Sequence, residues 1–157
     1  IGTATVQYNG RRISSTWVRE ALDEGNFELA EALLGRRYSI SGRVMHGEKL
    51  GRKLWVPTAN VNLKRQRAPL SGVYIVEVVL DNVRLPAVAN VGVRPTVGDL
   101  EKPILEVHIL DWEGDIYRRH INVEFRKKIR EEKRFQNVEE LLCWIRKDIQ
   151  QAKDFFA

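Results

Sequence analysis

"VYIVEVVLDNVRLPAVANVGV", residues 73–93, is the stretch on which the fold turns. Two runs rich in β-branched residues, 73–80 and 85–93, flank Asp81 and Asn82, a hairpin signal somewhat weaker than Asn-Gly. "YSISGRVM" (38–45), "ILEVHIL" (104–110) and "HINVEF" (120–125) are of the same kind, separated by turn-forming clusters. Five or six short strands with no helices between them predict an antiparallel barrel or sandwich.

Both ends of the chain read as helix. Ser14 and Ser15 can cap a helix running to about Asp23, Gly25 ends it, Asn26 caps a second, and Gly35 stops that one. Near the other end Asn137 with Glu140 makes a capping-box-like start. Val138, Leu141, Leu142, Ile145, Ile149, Ala152 and Phe156 then recur at helical spacing. This stripe is expected to cover one open end of the barrel, with Cys143 and Trp144 as packing residues beside it.

With 157 residues, 43% apolar and 30% charged, the chain fits one domain with an appendage. No apolar run approaches the ~20 residues of a membrane span, and the start shows no signal-peptide pattern. The lone Cys143 excludes an internal disulfide, and His46, His108 and His120 are too scattered for a zinc site, so a reducing cytoplasm is the expected location. Residues 1–35 carry three cations and five acids, net −2, whereas residues 36–157 carry 23 and 16, net +7. The larger part attracts anions, nucleotide or nucleic acid. The densest cluster, "RKKIREEKR" (126–134), is interrupted by two glutamates and reads as a solvated face.

Two segments carry candidate chemistry. In "GEKLGRKLWVPTAN" (47–60), Gly47 and Gly51 permit close backbone approach, and Thr58 and Asn60 point the same way if the stretch is extended. That arrangement suits a polyphosphate held by backbone amides and two neutral oxygen ligands, or simply a turn leading into a strand. In "ILEVHILD", Leu105, Val107 and Ile109 make one face, and Ile104, Glu106, His108 and Leu110 the other. Glu106 is then either an exposed strand carboxylate or, facing a nucleotide, a base for phosphoryl transfer; His108 is the lesser candidate. Walker A, HRD and DFG sequences are all absent, which excludes those phosphoryl-transfer scaffolds.

In order along the chain, "HGEKLGRKLWVPTAN" (46–60), "GVYIV" (72–76), "ANVGVRPT" (89–96), "LEVHILDWEGDIY" (105–117) and "IREEKRF" (129–135) resemble the motifs of riboflavin kinases. The resemblance runs from about Arg36 to the C-terminus. It implies a mainly β fold, a six-stranded antiparallel Greek-key barrel with a C-terminal helix. It also implies transfer of the γ-phosphoryl of ATP to the terminal ribityl hydroxyl of riboflavin, giving FMN and ADP. On that resemblance Glu106 is the base, and Thr58 and Asn60 hold Mg2+ and the ATP phosphates beneath a loop containing Gly47 and Gly51. Tyr74 and Asn90 border the nucleotide, and Gly72, Arg130 and Phe135 the flavin. Gly92, Pro95 and Thr96 lie in the same bordering segments. Trp55 stands where the family usually has glycine.

The opening "ISSTWVREALDEGNFELAEALLGRRY" (13–38) resembles the end of the adenylyltransferase module of bacterial bifunctional FAD synthetases, with Trp17 in place of the usual arginine. Residues 1–35 are accordingly expected to be a helical remnant or linker and 36–157 the kinase barrel. FAD synthesis is not expected of these residues. Riboflavin and ATP are the expected partners of a monomer that binds neither nucleic acid nor membrane. Two alternatives are a non-catalytic flavin-binding regulatory barrel and a basic barrel that binds nucleic acid.

Overall fold

A computed structural model describes residues 7–8, 10–45, 59–63, 70–95, 101–111, 116, 118–132 and 135–157. A small antiparallel pair, β1 (Gln7–Tyr8) and β2 (Arg11–Arg12), precedes helices α1 (Ser15–Asp23) and α2 (Phe27–Leu34). Then come β3 (Ser39–Met45), β4 (Ala59–Val61), β5 (Gly72–Leu80), β6 (Val83–Pro95), β7 (Glu101–Ile109) and β8 (His120–Arg130), followed by α3 (Val138–Phe156). The six long-range strands close in the order β3-β4-β7-β6-β5-β8, with β8 pairing back to β3, and every neighbour is antiparallel. Three consecutive strands, β5 to β7, lie side by side and β8 returns next to β5, which is a Greek key. The structure is therefore a barrel and not a sandwich.

The β5–β6 hairpin forms as its sequence predicts. Leu80 pairs with Val83, and Asp81 (φ 51°) and Asn82 (φ 64°) both take the left-handed backbone that matches the strand twist. Tyr74, Val76 and Val78 point inward with 0% exposure. Tyr74 faces Ala89 and Val76 faces Ala87, so large residues sit against small ones in an interior too narrow for two of the former.

The helical opening is not an appendage to this core. Ser14 caps α1 by accepting from the Trp17 amide at 3.1 Å, Asn26 caps α2 by accepting from Leu29 at 3.1 Å, and Gly35 ends α2 at φ 76°. The apolar faces so oriented place Ala21, Leu22, Phe27, Ala30 and Leu33 in one cluster with the barrel interior. Phe27 stacks on Phe125 at 5.9 Å and meets Tyr74 edge-on at 5.7 Å. It is α2, then, and not the C-terminal helix, that brings an aromatic side chain into the barrel core. The C-terminal helix lies against the outer wall: Ala152, Ile149 and Phe156 cover Ile75, Val88, Leu110 and Ile129. Its stripe is also narrower than the spacing suggests, since Val138 is 50% exposed and Cys143 is exposed.

The basic run differs from its expected solvated state as well. Register with β5 carries β8 to Arg130 through two bulges, five residues beyond the expected strand end. Arg126 thereby meets Glu77, Lys128 meets Glu131, and Arg130 meets Asp148. Glu77 and Glu124 face each other across β5 and β8 and are nearly buried, and Arg37, Arg84 and Arg126 surround them.

Two outcomes are expected. Phe27→Ala should cost about 3–5 kcal/mol of unfolding free energy, measured by urea titration. A loss below 1 kcal/mol would mean that the helical pair is not part of the barrel core. Burial also pushes the Tyr38 and Tyr74 hydroxyls up to about 12 from an ordinary 10.0. The folded state thus favours the protonated phenols, so their contribution is intact below pH 10 and lost as pH rises toward 12. Denaturant midpoints should fall across that window, and less steeply in Tyr38→Phe.

Candidate active site

Opposed residues in an antiparallel pair share a face of the sheet, with Cβ atoms about 4.5–5.5 Å apart. On β4 and β7 Asn60 is opposite Glu106, and on β7 and β6 Glu106 is opposite Asn90. Three polar side chains therefore stand in one row. The neighbours that alternate with them, Val61, Leu105, Val107, Ala89 and Val91, are core residues. The row is thus on the outer face, and Asn60, Glu106 and Asn90 are all half-buried there. It extends further in both directions. Met45 on β3 is opposite Asn60, Val73 on β5 is opposite Asn90, and Arg130 on β8 is opposite Val73.

The chemistry of the row is a carboxylate between two carboxamides. Glu106 is not the freely exposed strand carboxylate that alternation alone allows. The Asn90 Oδ1 is buried and finds no hydrogen-bond donor among the described residues. Burying an acceptor without a partner is costly, so this atom marks a place where a ligand donor would be stabilising.

At the far end of the row Arg130 is fully engaged by protein. Its Nε lies 3.0 Å from Asp148 Oδ1, one terminal nitrogen donates to Asp148 Oδ2 at 2.8 Å, and the other donates to the Glu131 carbonyl at 3.1 Å. The guanidinium also lies over Phe135 and Trp144, 5.7 and 5.4 Å from the ring centroids. Gly72, at φ 130°, makes room for this strand end, since a Cβ there would come within 2.5 Å of the Arg130 carbonyl. Gly72, Arg130 and Phe135 are thus brought together, but as a clamp joining β5, β8 and α3. Asp148 is the member that sequence reading missed. Its signal was position: an acid on the buried stripe, three residues after Ile145 and four before Ala152.

Tyr74, expected beside the nucleotide, is instead a core residue. Its ring is 0% exposed and its hydroxyl donates to the Ser71 carbonyl at 2.9 Å, which leaves no surface for a ligand. Gly47, Gly51, Trp55, Thr58 and Thr96 lie outside the described residues.

A family model described as "Flavokinase: Riboflavin kinase" matches residues 34–156. The chain belongs to the flavokinase family. It is 54% identical over 149 residues to the bifunctional riboflavin kinase/FMN adenylyltransferase of Pseudomonas fluorescens, covering 95% of this chain and 48% of that protein. The namesake from Escherichia coli K12 is 53% identical over 155 residues, covering 98% and 49%. The chain thus spans about half the length of the curated relatives it matches. Among solved structures, one titled as a macrolide-efflux protein from Streptococcus pneumoniae superposes with TM-score 0.83 at 35% identity, covering 95% of this chain and 49% of that one. Riboflavin kinase from Trypanosoma brucei shares the fold at TM-score 0.51 and 22% identity, covering 74% and 78%. No helix among the described residues of this flavokinase is long and apolar enough to cross a membrane.

The Arg130 clamp is testable on its own. Asp148 is 4% exposed, and removing it strands a guanidinium whose side chain is 15% exposed. Asp148→Ala should lower stability by about 3–5 kcal/mol in denaturant titration. A change within 0.5 kcal/mol would mean that Arg130 is adequately solvated without its partner.

Proposed function

We propose that this flavokinase transfers the γ-phosphoryl group of ATP to the terminal ribityl hydroxyl of riboflavin, yielding FMN and ADP. The observation that carries this reading is the Asn60, Glu106, Asn90 row on one outward face of a chain from this family. Glu106 takes the proton of the attacking hydroxyl, a bond forms from that oxygen to the γ-phosphorus, and the bond to the bridging oxygen breaks as ADP leaves. Asn60, directly beside Glu106, holds the phosphates near the acceptor, so base and phosphoryl group share one site. Thr58 and the glycines Gly47 and Gly51 are proposed to complete the phosphate cradle.

The residues present suit magnesium brought in with the nucleotide. Mg2+ accepts neutral oxygen ligands alongside phosphate oxygens and seldom needs an all-protein cage. A carboxamide adjoining a carboxylate fits this donor set, and the described residues contain no cluster of three or more His, Cys, Asp or Glu that would make a dedicated cage. Asn60 and Thr58 would hold the ion, which when bound neutralises charge on the phosphate oxygens.

The relatives' printed names include FMN adenylyltransferase; we propose only the kinase reaction for this chain, in the cytoplasm. The nucleic-acid alternative is not favoured. Arg126, Lys128 and Arg130, at the heart of the basic run, are paired with Glu77, Glu131 and Asp148.

Incubation with riboflavin and MgATP, followed by chromatography of the flavins, should yield FMN. Glu106→Gln keeps the side chain's size but cannot take the proton, so turnover should fall about 100- to 10,000-fold while riboflavin affinity stays near normal. Normal turnover in that variant would remove Glu106 from the chemistry.

A further inference from the structure

The stem of Lys128 lies between two glycines. A Cβ at Gly25, in the turn joining α1 to α2, would come 2.8 Å from the Lys128 Cβ and 3.3 Å from its Cδ. A Cβ at Gly72, at the start of β5, would come 3.2 Å from the Lys128 Cε. Both glycines have positive φ, 74° and 130°, so backbone and space alike call for glycine there. The enclosed side chain is 16% exposed, and its ammonium pairs with the Glu131 carboxylate 5.9 Å from the Tyr74 ring centroid. An ion pair with an exposed partner contributes little by itself. Here the packed stem fixes where one partner stands. The turn above it is fixed as well: the Gly25 amide donates to the Leu22 carbonyl at 3.0 Å, the Asn26 amide donates to the Ala21 carbonyl at 2.8 Å, and Ala21 and Leu22 are core residues.

Beyond Lys128 the chain leaves β8 and crosses the outer wall. Glu131 is held twice, by Lys128 at its carboxylate and by the Arg130 guanidinium at its carbonyl, 3.1 Å away. The next residue, Glu132, lies against Gly92, where a Cβ would overlap its carboxylate. Gly92 follows Asn90 by two residues on β6 and so shares its outward face. A continuous set of contacts thus runs from the α1–α2 turn, through Lys128 and Glu131, to the Asn90 end of the polar row.

We propose that Lys128 is a positioning residue of the kinase, through which the α1–α2 turn sets where the chain after β8 crosses the wall and thereby the affinity for the phosphoryl acceptor. This rests on the kinase reading, which puts the phosphates at Asn60 and the reacting hydroxyl at Glu106. The body of the acceptor then lies on the Asn90 side, the side this chain crosses, and the nucleotide on the other. Lys128 touches neither substrate. Its loss should therefore weaken the acceptor and spare MgATP and the chemical step. The helical opening, on this proposal, serves the barrel's reaction as well as its core.

The test measures kcat and the KM for riboflavin and for MgATP in Lys128→Met, Gly25→Ala, the double variant and Gly35→Ala, with circular dichroism melts to confirm folding. Lys128→Met keeps an unbranched stem and removes the ammonium. Gly35 serves as control, since it has nearly the same φ, 76°, but a Cβ there would meet nothing within 4 Å. Lys128→Met and Gly25→Ala should each raise the KM for riboflavin about two- to fivefold, with kcat and the KM for MgATP near wild type. The double variant should be no worse than the more affected single one, because both changes act through the same link. Gly35→Ala should lower the melting temperature and leave the KM for riboflavin unchanged. If Gly25→Ala does not fold, the split between the two KM values in Lys128→Met carries the test. An unchanged KM for riboflavin in Lys128→Met, an equal rise in Gly35→Ala, or additive effects in the double variant would overturn the proposal and leave Lys128 as a packing residue. Wild type that forms no FMN from riboflavin would overturn the kinase reading itself, and this proposal with it.

Discussion

Tyr74, Phe125 and Phe27 meet at centroid separations of 5.3 to 5.9 Å, and this contact sets which faces of β5 and β8 turn inward. With Tyr74 inward on β5 and Phe125 inward on β8, Val73 must face outward. Register then carries the outward face from Val73 to Asn90, from Asn90 to Glu106, and from Glu106 to Asn60. A slip of one residue would bring Glu106 into an interior of valine and phenylalanine and turn Val107 out. The aromatic contact is thus as much a condition of the proposed chemistry as of stability, although no aromatic ring in it reaches the outward row of Asn60, Glu106 and Asn90.

Charge on the opposite stretch of wall obeys the same parity. Glu77 and Glu124 are outward-facing, directly opposed and nearly buried, an arrangement that repels unless cations adjoin it. Arg37, from the connection after α2, reaches both carboxylates, at 3.3 and 3.6 Å. Such a network contributes little net stability, since desolvation offsets most of the attraction. Its consequence is geometric: it ties the helical opening to β5 and β8 at the same end where Phe27 enters the core. Several cations of the barrel are therefore committed to internal partners, and the basic run by itself overstates the local charge it offers a polyanion.

The hairpin, the helix caps and the two faces of β7 were legible in the sequence because each is decided within a few residues. Asp81 and Asn82 specify their own turn; Ser14, Asn26 and Asn137 bond to amides three residues on. The rest was hidden for a common reason. The partner of Arg130 is 18 residues away, that of Arg126 is 49, and the space above Gly92 is filled from position 132. Periodicity gives the face of α3 but not the surface it meets, so its docking on the outer wall had to come from the structure. Strand β4 is three residues long, too short to show an alternation, and only its neighbours make it a strand. Residue types legible as functional from resemblance also split by burial. Asn90 and Glu106 stay on the outer face, while Tyr74 serves the core.

A six-stranded barrel has no room inside for a ligand once its inward side chains are in place. Chemistry on this fold must therefore be done on the outer wall, where water competes for every polar group and segments between strands have to exclude it. The Asn90 Oδ1 shows how far that exclusion has already gone, being buried without a donor among the described residues. Leaving such an acceptor unpaired costs about 1–3 kcal/mol. A ligand hydroxyl or amine that donates to an acceptor left unpaired in this way relieves that cost. Stability given up at one position on the wall reappears as binding free energy at the same position, directed at the ligand group that can donate there.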